Sequence, residues 1–414
     1  MASSDYYDDL ETRDPEAREA ANMAALAEQV ANARENSVWF GKIFADVDPT
    51  TINSREALAT LPVTRKRDLI ALQKSNPPLG GLNVMPLKSA SMIFTSPGPI
   101  YEIASTAPDF YGAARAFYAA GLRKGDIIHN SLSYHLTPGA WIMDSAAKAL
   151  GCPVIPGGVG NTEQQVQVID QIKPVAYTGT PDFLRVLLEK AADLNLDASS
   201  IKRAVVGGGP LFKQLRKEYN DRGIEVFETF ATAELGNIAH QTEAFEGMVI
   251  SEDKIVEVLV PGTGTPVAHI GDVGEMVVTL LHPDNPLIRF ATGDLTAVMT
   301  GISPCGRTNV RIKGWLGRAD QTTKVRGMFV HPEQVAEVVK RHGEIGKARL
   351  VVDARDSRDH PVLQCEVEDG GDSLAEELAK TFQAVCKVRG TIEFVPPGSL
   401  PNDGKIIDDI RKFD

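Results

Sequence analysis

The feature that most constrains the fold is the alternation of short apolar runs with helical stretches between Met92 and about Thr300. The apolar runs end in small or polar residues, which is typical of strands in a layered α/β domain. Because ligands of open α/β sheets lie outside the carboxyl ends of the strands, the residues that follow these runs are the first candidates for a functional site. The predicted strands include IIHNSLSY, CPVIPGG, PVAYTGT, AVVGGGP and EVFETFA, and the predicted helices between them include PDFLRVLLEKAADLN and LFKQLRKEYNDRG.

A second, smaller unit follows the sequence GWLGRAD. HPEQVAEVVKRHG and SLAEELAKTFQAVCKV have the apolar spacing of amphipathic helices, and KARLVVDA, PVLQCEVED and TIEFVP are predicted strands. The length of 414 residues also favours two unequal domains. We therefore predict a large N-terminal α/β domain with mixed sheets and helices, residues 1–317, and a small mobile α+β domain, residues 318–414. A further helix is predicted from Pro15 to about Asn36.

Composition argues against several classes of function. A net charge of −12 argues against nucleic acid as a general partner, because phosphate binding needs a positive surface. No apolar run approaches the ~18 residues that a membrane span requires, and the acidic N-terminus lacks the apolar core of a signal peptide. Four cysteines are spread singly, which suits a reducing compartment. We predict a cytoplasmic protein with no nucleic acid or membrane partner, and a homodimer as the default assembly.

Three motifs in the second half of the chain carry the chemistry. RFATGDL places Asp294 after a glycine in a turn, where a carboxylate accepts hydrogen bonds from two vicinal hydroxyls. GRADQTTKVRG is a charged segment ahead of a helix, and LPNDGKIIDDIR holds Lys405 in a Pro-x-x-Gly-Lys turn. Taken singly, these segments also fit a solvated turn, an interdomain loop and a polar tail. Their combination in this order and spacing is specific.

With these motifs the chain resembles the phenylacetate–coenzyme A ligase family of the AMP-forming adenylate enzymes. The narrower resemblance rests on ALATLPVTRKRDL, SYHLTPG, GCPVIPGGVGNTEQQVQVI, AYTGTPDFL and PCGRT, and it covers essentially the whole chain. It implies an enzyme that activates a small, aromatic, phenylacetate-like carboxylic acid through an acyl-adenylate and transfers the acyl group to coenzyme A. The implied cofactors are ATP, Mg²⁺ and coenzyme A.

The resemblance also implies a role for individual residues. Lys405 matches the lysine that reaches the acid and the α-phosphate, Asp320 matches the hinge, and Glu234 matches the acid that positions Mg²⁺ on the phosphates. His135 falls beside the expected acyl group, with contacts to backbone groups at a strand end as the alternative. The implied nucleotide and coenzyme A contacts are Ser96, Gly98, Gly207, Gly208, Gly209, Pro210, Glu228, Thr229, Phe230, Asp294, Arg318 and Gly327. The implied walls of the acid pocket are Tyr134, Trp141, Phe230 and Ala231, with core packing as the alternative for the three aromatic residues.

Two segments depart from the family pattern. The phosphate loop usually ends in Gly-Lys, whereas the corresponding text here is TSPGPIYEIAS, in which proline removes an amide donor and Glu102 stands about where the lysine is expected. Near the positions where some members carry extra Cys and His residues, this chain keeps Cys305 and His240, which are fewer than the four ligands of a structural zinc site. We therefore predict no zinc and a packing role for Cys305.

Three hypotheses follow from these observations. The first is an ATP-dependent acid–coenzyme A ligase, motivated by the retained motifs. The second is an adenylate-forming enzyme that hands the acyl group to a carrier or an amine. The third, motivated by the altered phosphate loop, is a relative that binds a nucleotide or an acyl-coenzyme A without normal turnover.

Overall fold

A computed structural model describes residues 5–96, 99–209, 211, 213–317, 319–321, 323–325, 328–355, 358–401 and 405–411. The helices within these ranges are α1 Pro15–Asn36, α2 Val38–Ile43, α3 Arg55–Ala59, α4 Leu69–Ser75, α5 Ala114–Ala119, α6 Gly139–Leu150, α7 Thr162–Ile172, α8 Pro181–Asp193, α9 Lys213–Asp221, α10 Pro332–Arg341 and α11 Asp372–Cys386. The first eleven strands are β1 Thr64–Arg65, β2 Met92–Ser96, β3 Ile100–Ala104, β4 Ile128–Asn130, β5 Val154–Pro156, β6 Ala176–Gly179, β7 Arg203–Val206, β8 Glu225–Thr232, β9 Gly236–His240, β10 Met248–Ile250 and β11 Lys254–Leu259. The other ten are β12 Gly274–Leu280, β13 Phe290–Thr296, β14 Val298–Met299, β15 Arg311–Ile312, β16 Thr323–Val325, β17 Met328–Val330, β18 Ala348–Arg355, β19 Arg358–Glu366, β20 Thr391–Val395 and β21 Ile407–Asp409.

A nine-stranded mixed sheet forms the centre of the large unit. Its order is β14-β15-β10-β9-β8-β7-β6-β4-β5, and the five strands from β8 to β5 run parallel. These are the five predicted apolar runs. Since parallel strands are covered on both faces, their sequences are nearly continuous apolar runs rather than strict alternations. The prediction of an α/β layer architecture is confirmed.

A second sheet of the large unit, in the order β1-β13-β12-β11, packs with the N-terminal helices. Helix α1 begins at Pro15 because the Asp14 carboxylate accepts hydrogen bonds from the backbone N–H groups of Glu16 and Ala17. Its buried face includes Leu26, which shares a core with residues of α2 and β11. The predicted bounds of this helix are those observed.

The C-terminal segment has a hydrophobic core of its own. The buried members of that core lie between Val325 and Ile407, and its four-stranded sheet has the order β20-β19-β18-β21. Helices α10 and α11 contribute Val335 and Phe382 to this core. A separate C-terminal α+β domain is therefore confirmed, while its boundary between residues 317 and 318 stays a prediction.

Two further findings concern membrane-spanning helices and the state of the cysteines. No helix among the described residues is both long and apolar enough to cross a bilayer. All four cysteines are free thiols, and three of them are buried.

Candidate active site

The carboxyl ends of the parallel strands bring several predicted site residues to one edge of the large sheet. The three-glycine run Gly207–Gly209 follows β7, and the SYHLTPG loop follows β4. A side chain at Gly207 would collide with Thr229, since a Cβ atom there would lie 2.8 Å from the Thr229 hydroxyl oxygen. Gly208 has φ = +72°, which favours glycine. The three glycines therefore leave this edge of the sheet without side chains.

The segment expected to hold phosphate is a tight hairpin of β2 and β3. Ser96 pairs with Ile100 and Phe94 pairs with Glu102 across the hairpin. The Ser96 hydroxyl donates a hydrogen bond of 2.8 Å to Glu102 Oε1, and the Thr95 N–H donates to the Leu136 carbonyl at 2.8 Å. The hairpin therefore lies against the SYHLTPG loop.

Glu234 lies just after β8, at the carboxyl edge of the sheet. Its side chain is only 3% exposed, and its Oε1 atom is 2.8 Å from Lys66 Nζ. Asn285 donates a hydrogen bond of 3.0 Å to the Glu234 carbonyl. Glu234 and Glu102 line one cavity of about 60 Å³ together with Tyr111. Burial, together with the Glu234 carboxylate, raises the pKa of Glu102 to about 8.

The high pKa of Glu102 makes stability depend on pH. The folded protein holds this proton more tightly than the unfolded chain, where the pKa is near 4.5. The stability from the protonated group is therefore lost as pH rises between about 4.5 and 8. In the variant Glu102→Gln this loss is absent. The difference in free energy of unfolding between the variant and the wild type should therefore shift in favour of the variant, by up to about 5 kcal/mol, as the pH rises from acid to alkaline. Urea unfolding in chelator at several pH values measures this difference, and parallel pH profiles would contradict it.

The prediction that Asp294 lies in a turn is wrong, because Gly293 and Asp294 both lie within strand β13. Asp294 is held there by a side chain that the sequence motifs did not indicate. The Trp315 indole N–H donates a hydrogen bond of 3.1 Å to Asp294 Oδ1. Leu295 and Gly317 pair through a 2.9 Å hydrogen bond from the Leu295 N–H. Asp294 is 8% exposed, so it has few directions in which it can meet a ligand. This hydrogen bond joins Gly317, the first residue of GRADQTTKVRG, to the strand that contains Asp294.

The predicted contacts on β8 separate into two environments. Glu228 pairs with Arg216, whose Nη2 atom lies 2.6 Å away, and with the amide of Gln241 at 3.0 Å. Phe230 is 8% exposed and belongs to the core between the two sheets of the large unit. A β-bulge separates Phe230 from Ala231, and Ala231 is half-buried. The alternative of core packing thus describes Phe230, and its predicted ligand role stays a prediction.

Tyr134 and Trp141 meet at the end of β4. Their rings are 5.2 Å apart in an edge-to-face arrangement, and they line a surface pocket of about 460 Å³ with Asp144 and Pro156. The Tyr134 hydroxyl donates a hydrogen bond of 3.0 Å to Asp144, and burial raises the pKa of Tyr134. His135, the next residue, is exposed. The structure therefore brings two of the predicted pocket residues together, but it does not place Phe230 with them.

Lys405 lies in the C-terminal unit. Its Nζ atom is 2.8 Å from Asp408 Oδ1, and the side chain is 52% exposed. Gln321 accepts a hydrogen bond of 2.7 Å from the N–H of Ile406, the next residue. Asp320 belongs to the 3-10 helix Ala319–Gln321, and its side chain lies outside the described part of the structure. Four other predicted residues also lie outside it: Gly98, Pro210, Arg318 and Gly327.

Cys305 and His240 are the residues considered for zinc. The Cys305 thiol is 3.0 Å from the Ser303 hydroxyl, and His240 is 2% exposed. Burial lowers the pKa of His240 to about 3. Within the described ranges, no group of three or more His, Cys, Asp or Glu side chains is arranged to hold a metal ion. The absence of zinc stays a prediction.

Comparison with known proteins shows the family of the chain. No family model matches the sequence. The chain is 30% identical to the phenylacetate–coenzyme A ligase of Thermus thermophilus over 449 aligned positions, which cover 98% of this chain and 100% of that protein. The chain belongs to the phenylacetate–coenzyme A ligase family. Its members are AMP-forming acid–thiol ligases, and the Escherichia coli member is 28% identical across 98% of this chain and 97% of its own length.

A solved ligase supports the family assignment and indicates a conformation. The open conformation of a 2-hydroxyisobutyryl–coenzyme A ligase has a TM-score of 0.86 at 25% identity, covering 99% of this chain and 95% of that one. The same enzyme in its thioesterification state has a TM-score of 0.73. The present structure is therefore more similar to the open state than to the state in which that ligase forms the thioester.

Three residues at the site were missed in the reasoning from sequence. Lys66, Arg216 and Trp315 contact Glu234, Glu228 and Asp294 across 168, 12 and 21 positions of the chain, as the residue numbers give. Lys66 lies within ALATLPVTRKRDL and Trp315 within GWLGRAD, so both stood in segments that were already noted. The sequence therefore indicated the segments that hold Lys66 and Trp315. Their contacts with Glu234 and Asp294 depend on the fold.

Proposed function

We propose that this family member joins a small aromatic carboxylic acid to coenzyme A, with ATP cleaved to AMP and pyrophosphate. The observation that supports the proposal most is the cluster at the carboxyl ends of the parallel strands. There the glycine run after β7, the SYHLTPG loop after β4 and buried Glu234 after β8 share the edge where α/β sheets bind ligands. The relatives named phenylacetate–coenzyme A ligases support the aromatic acid.

The reaction needs two steps because a carboxylate is a poor acceptor for a thiol. In the first step, an oxygen of the acid attacks the α-phosphorus of ATP, and pyrophosphate leaves. In the second, the thiol sulfur of coenzyme A attacks the acyl carbon, and AMP leaves while the thiol proton passes to solvent. Mg²⁺ bound to the phosphates offsets their negative charge. Glu234 fits that cation, since its buried Oε2 atom accepts no hydrogen bond from the protein.

The roles proposed for the remaining residues rest on the resemblance to the family. Asp294 receives the ribose hydroxyls, and Gly207–Gly209 lie along the adenine. Tyr134 and Trp141 form walls for the ring of the acid, since their pocket of about 460 Å³ is within the usual range for small ligands. Lys405 reaches the acid and the α-phosphate once the C-terminal domain turns at Asp320. The wider proposals of Arg318 at the ribose, Gly327 at the pantetheine arm, a cytoplasmic location and a homodimer rest on the resemblance and on composition.

The direct test measures AMP release with ATP, Mg²⁺, coenzyme A and a panel of acids. Phenylacetate, substituted arylacetates and benzoates form one arm, and short aliphatic acids that include 2-hydroxyisobutyrate form the other. We expect AMP and the acyl-coenzyme A in equal amounts, with an arylacetate preferred. AMP release that needs an aliphatic acid would correct the substrate, and adenylation that does not depend on coenzyme A would favour another acceptor.

The indole of Trp315 provides a milder test of the nucleotide site. Replacing Trp315 with phenylalanine keeps an aromatic ring but removes the hydrogen bond to Asp294. Since the indole is half-exposed, we expect a loss of roughly 0.5–1.5 kcal/mol in binding free energy, which corresponds to a rise of about 2- to 13-fold in the Kd of AMP. Calorimetric titration with AMP measures it. Trp39→Phe, in α2, is the matched control. Equal AMP affinity in both variants would show that Trp315 has no role in nucleotide binding.

A further inference from the structure

The amine of Lys405 is paired with a carboxylate that has a second cation beside it. Asp408 Oδ1 lies 2.8 Å from Lys405 Nζ. The other oxygen of the same carboxylate, Asp408 Oδ2, lies 3.9 Å from Arg349 Nη1. The Lys405 side chain is half-exposed, whereas only 5% of the Arg349 side chain is exposed. One carboxylate therefore lies between a half-exposed amine and a buried guanidinium.

The pairing of two strands brings Arg349 and Asp408 together. β21 runs parallel to β18, and Asp408 lies opposite Val351. Because side chains alternate between the two faces of a sheet, Arg349, two residues before Val351, projects from the same face as Asp408. The sheet thus fixes the origin of the guanidinium, whereas the amine of Lys405 is carried on a flexible four-carbon stem. Of the two cations, the amine is the one that can leave the carboxylate.

A backbone contact keeps the guanidinium close to this carboxylate. Arg349 Nη2 donates a hydrogen bond of 3.1 Å to the Pro401 carbonyl, and Lys347 Nζ donates one of 2.8 Å to the same oxygen. The 3.9 Å between Arg349 Nη1 and Asp408 Oδ2 is too long for a hydrogen bond. The guanidinium can therefore move closer to the carboxylate when the amine leaves it.

Release of the amine has an electrostatic cost. Under the proposed function, Lys405 must leave Asp408 to reach the acid and the α-phosphate. The Asp408 side chain is only 26% exposed, and a poorly solvated carboxylate that loses its cation is unfavourable. A second cation on its other oxygen offsets that loss.

We propose that Asp408 and Arg349 are positioning residues for Lys405. The carboxylate holds the amine in the conformation described here, and the guanidinium pairs with the carboxylate when the amine moves to the acid. The purpose of this exchange rests on the proposed function, whereas the exchange of partners at the carboxylate does not.

Two measurements on the same variants test the inference. The first is the rate at which an amine-reactive ester labels Lys405 in the absence of substrates, followed by peptide mass spectrometry, and it reports how tightly the amine is held. The second is acid-dependent exchange of pyrophosphate into ATP. The variants are Arg349→Met, Arg349→Lys, Asp408→Asn and the double variant Arg349→Met with Asp408→Asn. Lys347→Met is the matched control, since Lys347 also donates to the Pro401 carbonyl. Thermal unfolding of each variant confirms that it is folded.

Arg349→Met should slow both the labelling of Lys405 and the exchange of pyrophosphate by roughly 3- to 10-fold, because the carboxylate then holds the amine more tightly. Asp408→Asn should speed both rates by about 2- to 5-fold, and the double variant should match it, because no carboxylate is left to hold the amine. Arg349→Lys keeps a cation and should lie closer to wild type than to Arg349→Met. Lys347→Met should stay within about twofold of wild type in both measurements.

A double variant as slow as Arg349→Met would overturn the inference, since Arg349 would then act through the fold and not through Asp408. Equal slowing in Lys347→Met would also overturn it, because the effect would then pass through the Pro401 carbonyl. Labelling of Lys405 that is unchanged in every variant would overturn it even if the chain forms an acyl-coenzyme A. The expected labelling pattern without product from any acid would instead contradict only the proposed function.

Discussion

Replacing Lys405 with alanine is expected to lower acyl-adenylate formation by roughly 10²- to 10³-fold. Negative charge builds on the oxygens between the acid and the α-phosphate, and a preorganised cation there stabilises the transition state by about 3–4 kcal/mol. In the present structure Lys405 is half-exposed and paired with Asp408, so the proposal requires the C-terminal domain to turn before the amine reaches the acid. Acid-dependent exchange of pyrophosphate into ATP measures this step alone.

The second half-reaction provides the internal control for Lys405. Thioester formation from a synthetic acyl-adenylate and coenzyme A should stay within about twofold in the variant, because the role proposed for the lysine is confined to adenylation. Lys340→Ala, at a side chain of α10 that is 74% exposed, is the matched control for loss of a surface amine. If Lys405→Ala slows both half-reactions equally, or slows neither, the assigned role of this lysine is wrong.

Replacing Arg289 with methionine is expected to destabilise the large domain by about 3–5 kcal/mol. Arg289 is 1% exposed and forms a two-pronged pair with Glu257, with both N–O distances at 3.0 Å. It also donates to the carbonyls of Ala59 and Gly264 at 2.9 Å each, and to that of Leu61. Removal leaves a buried carboxylate and several carbonyls without donors. Urea unfolding followed by tryptophan fluorescence measures the loss.

Two comparisons separate the buried pair from ordinary surface charges. Arg203 pairs with Glu225 at a site where the side chains are 38% and 51% exposed, so Arg203→Met should cost less than about 1 kcal/mol. The double variant Arg289→Met with Glu257→Leu should recover part of the loss, since no charge is then left buried without a partner. An Arg289→Met chain that is as stable as Arg203→Met would show that the buried network contributes little.

The sequence predicts those parts of the fold that are determined by neighbouring residues in the chain. Helix α1 has its observed bounds because Asp14 and Pro15 supply a complete start signal next to it in sequence. The five parallel strands were visible as apolar runs because burial on both faces requires them. Asp294 was predicted as a site residue because it follows a glycine in a fixed motif, although the structure places the pair within β13 and not in a turn; its role stays a prediction.

The parts that could not be predicted depend on contacts distant in sequence. Nothing near Glu234 indicates that Lys66 will meet it, since the pairing requires β1 to lie beside β13. The motif predicted Phe230 as a wall of the ligand pocket, but the pairing of its strand places its side chain in the core between the two sheets. The resemblance to the family predicted that Glu102 lies in the phosphate loop. Its burial near Glu234 depends on how the hairpin packs, which the sequence does not indicate.

The proposed function requires this chain to make an acyl-adenylate from an aromatic acid. The direct measurement mixes wild-type protein with ATP labelled at the α-phosphate, Mg²⁺ and phenylacetate, without coenzyme A, and separates the quenched products. We predict a labelled phenylacetyl-adenylate in amounts close to the enzyme concentration, which a chase with coenzyme A converts to labelled AMP and phenylacetyl-coenzyme A. A chain that binds the nucleotide but yields no labelled adenylate with phenylacetate or any other acid of the panel would contradict the account.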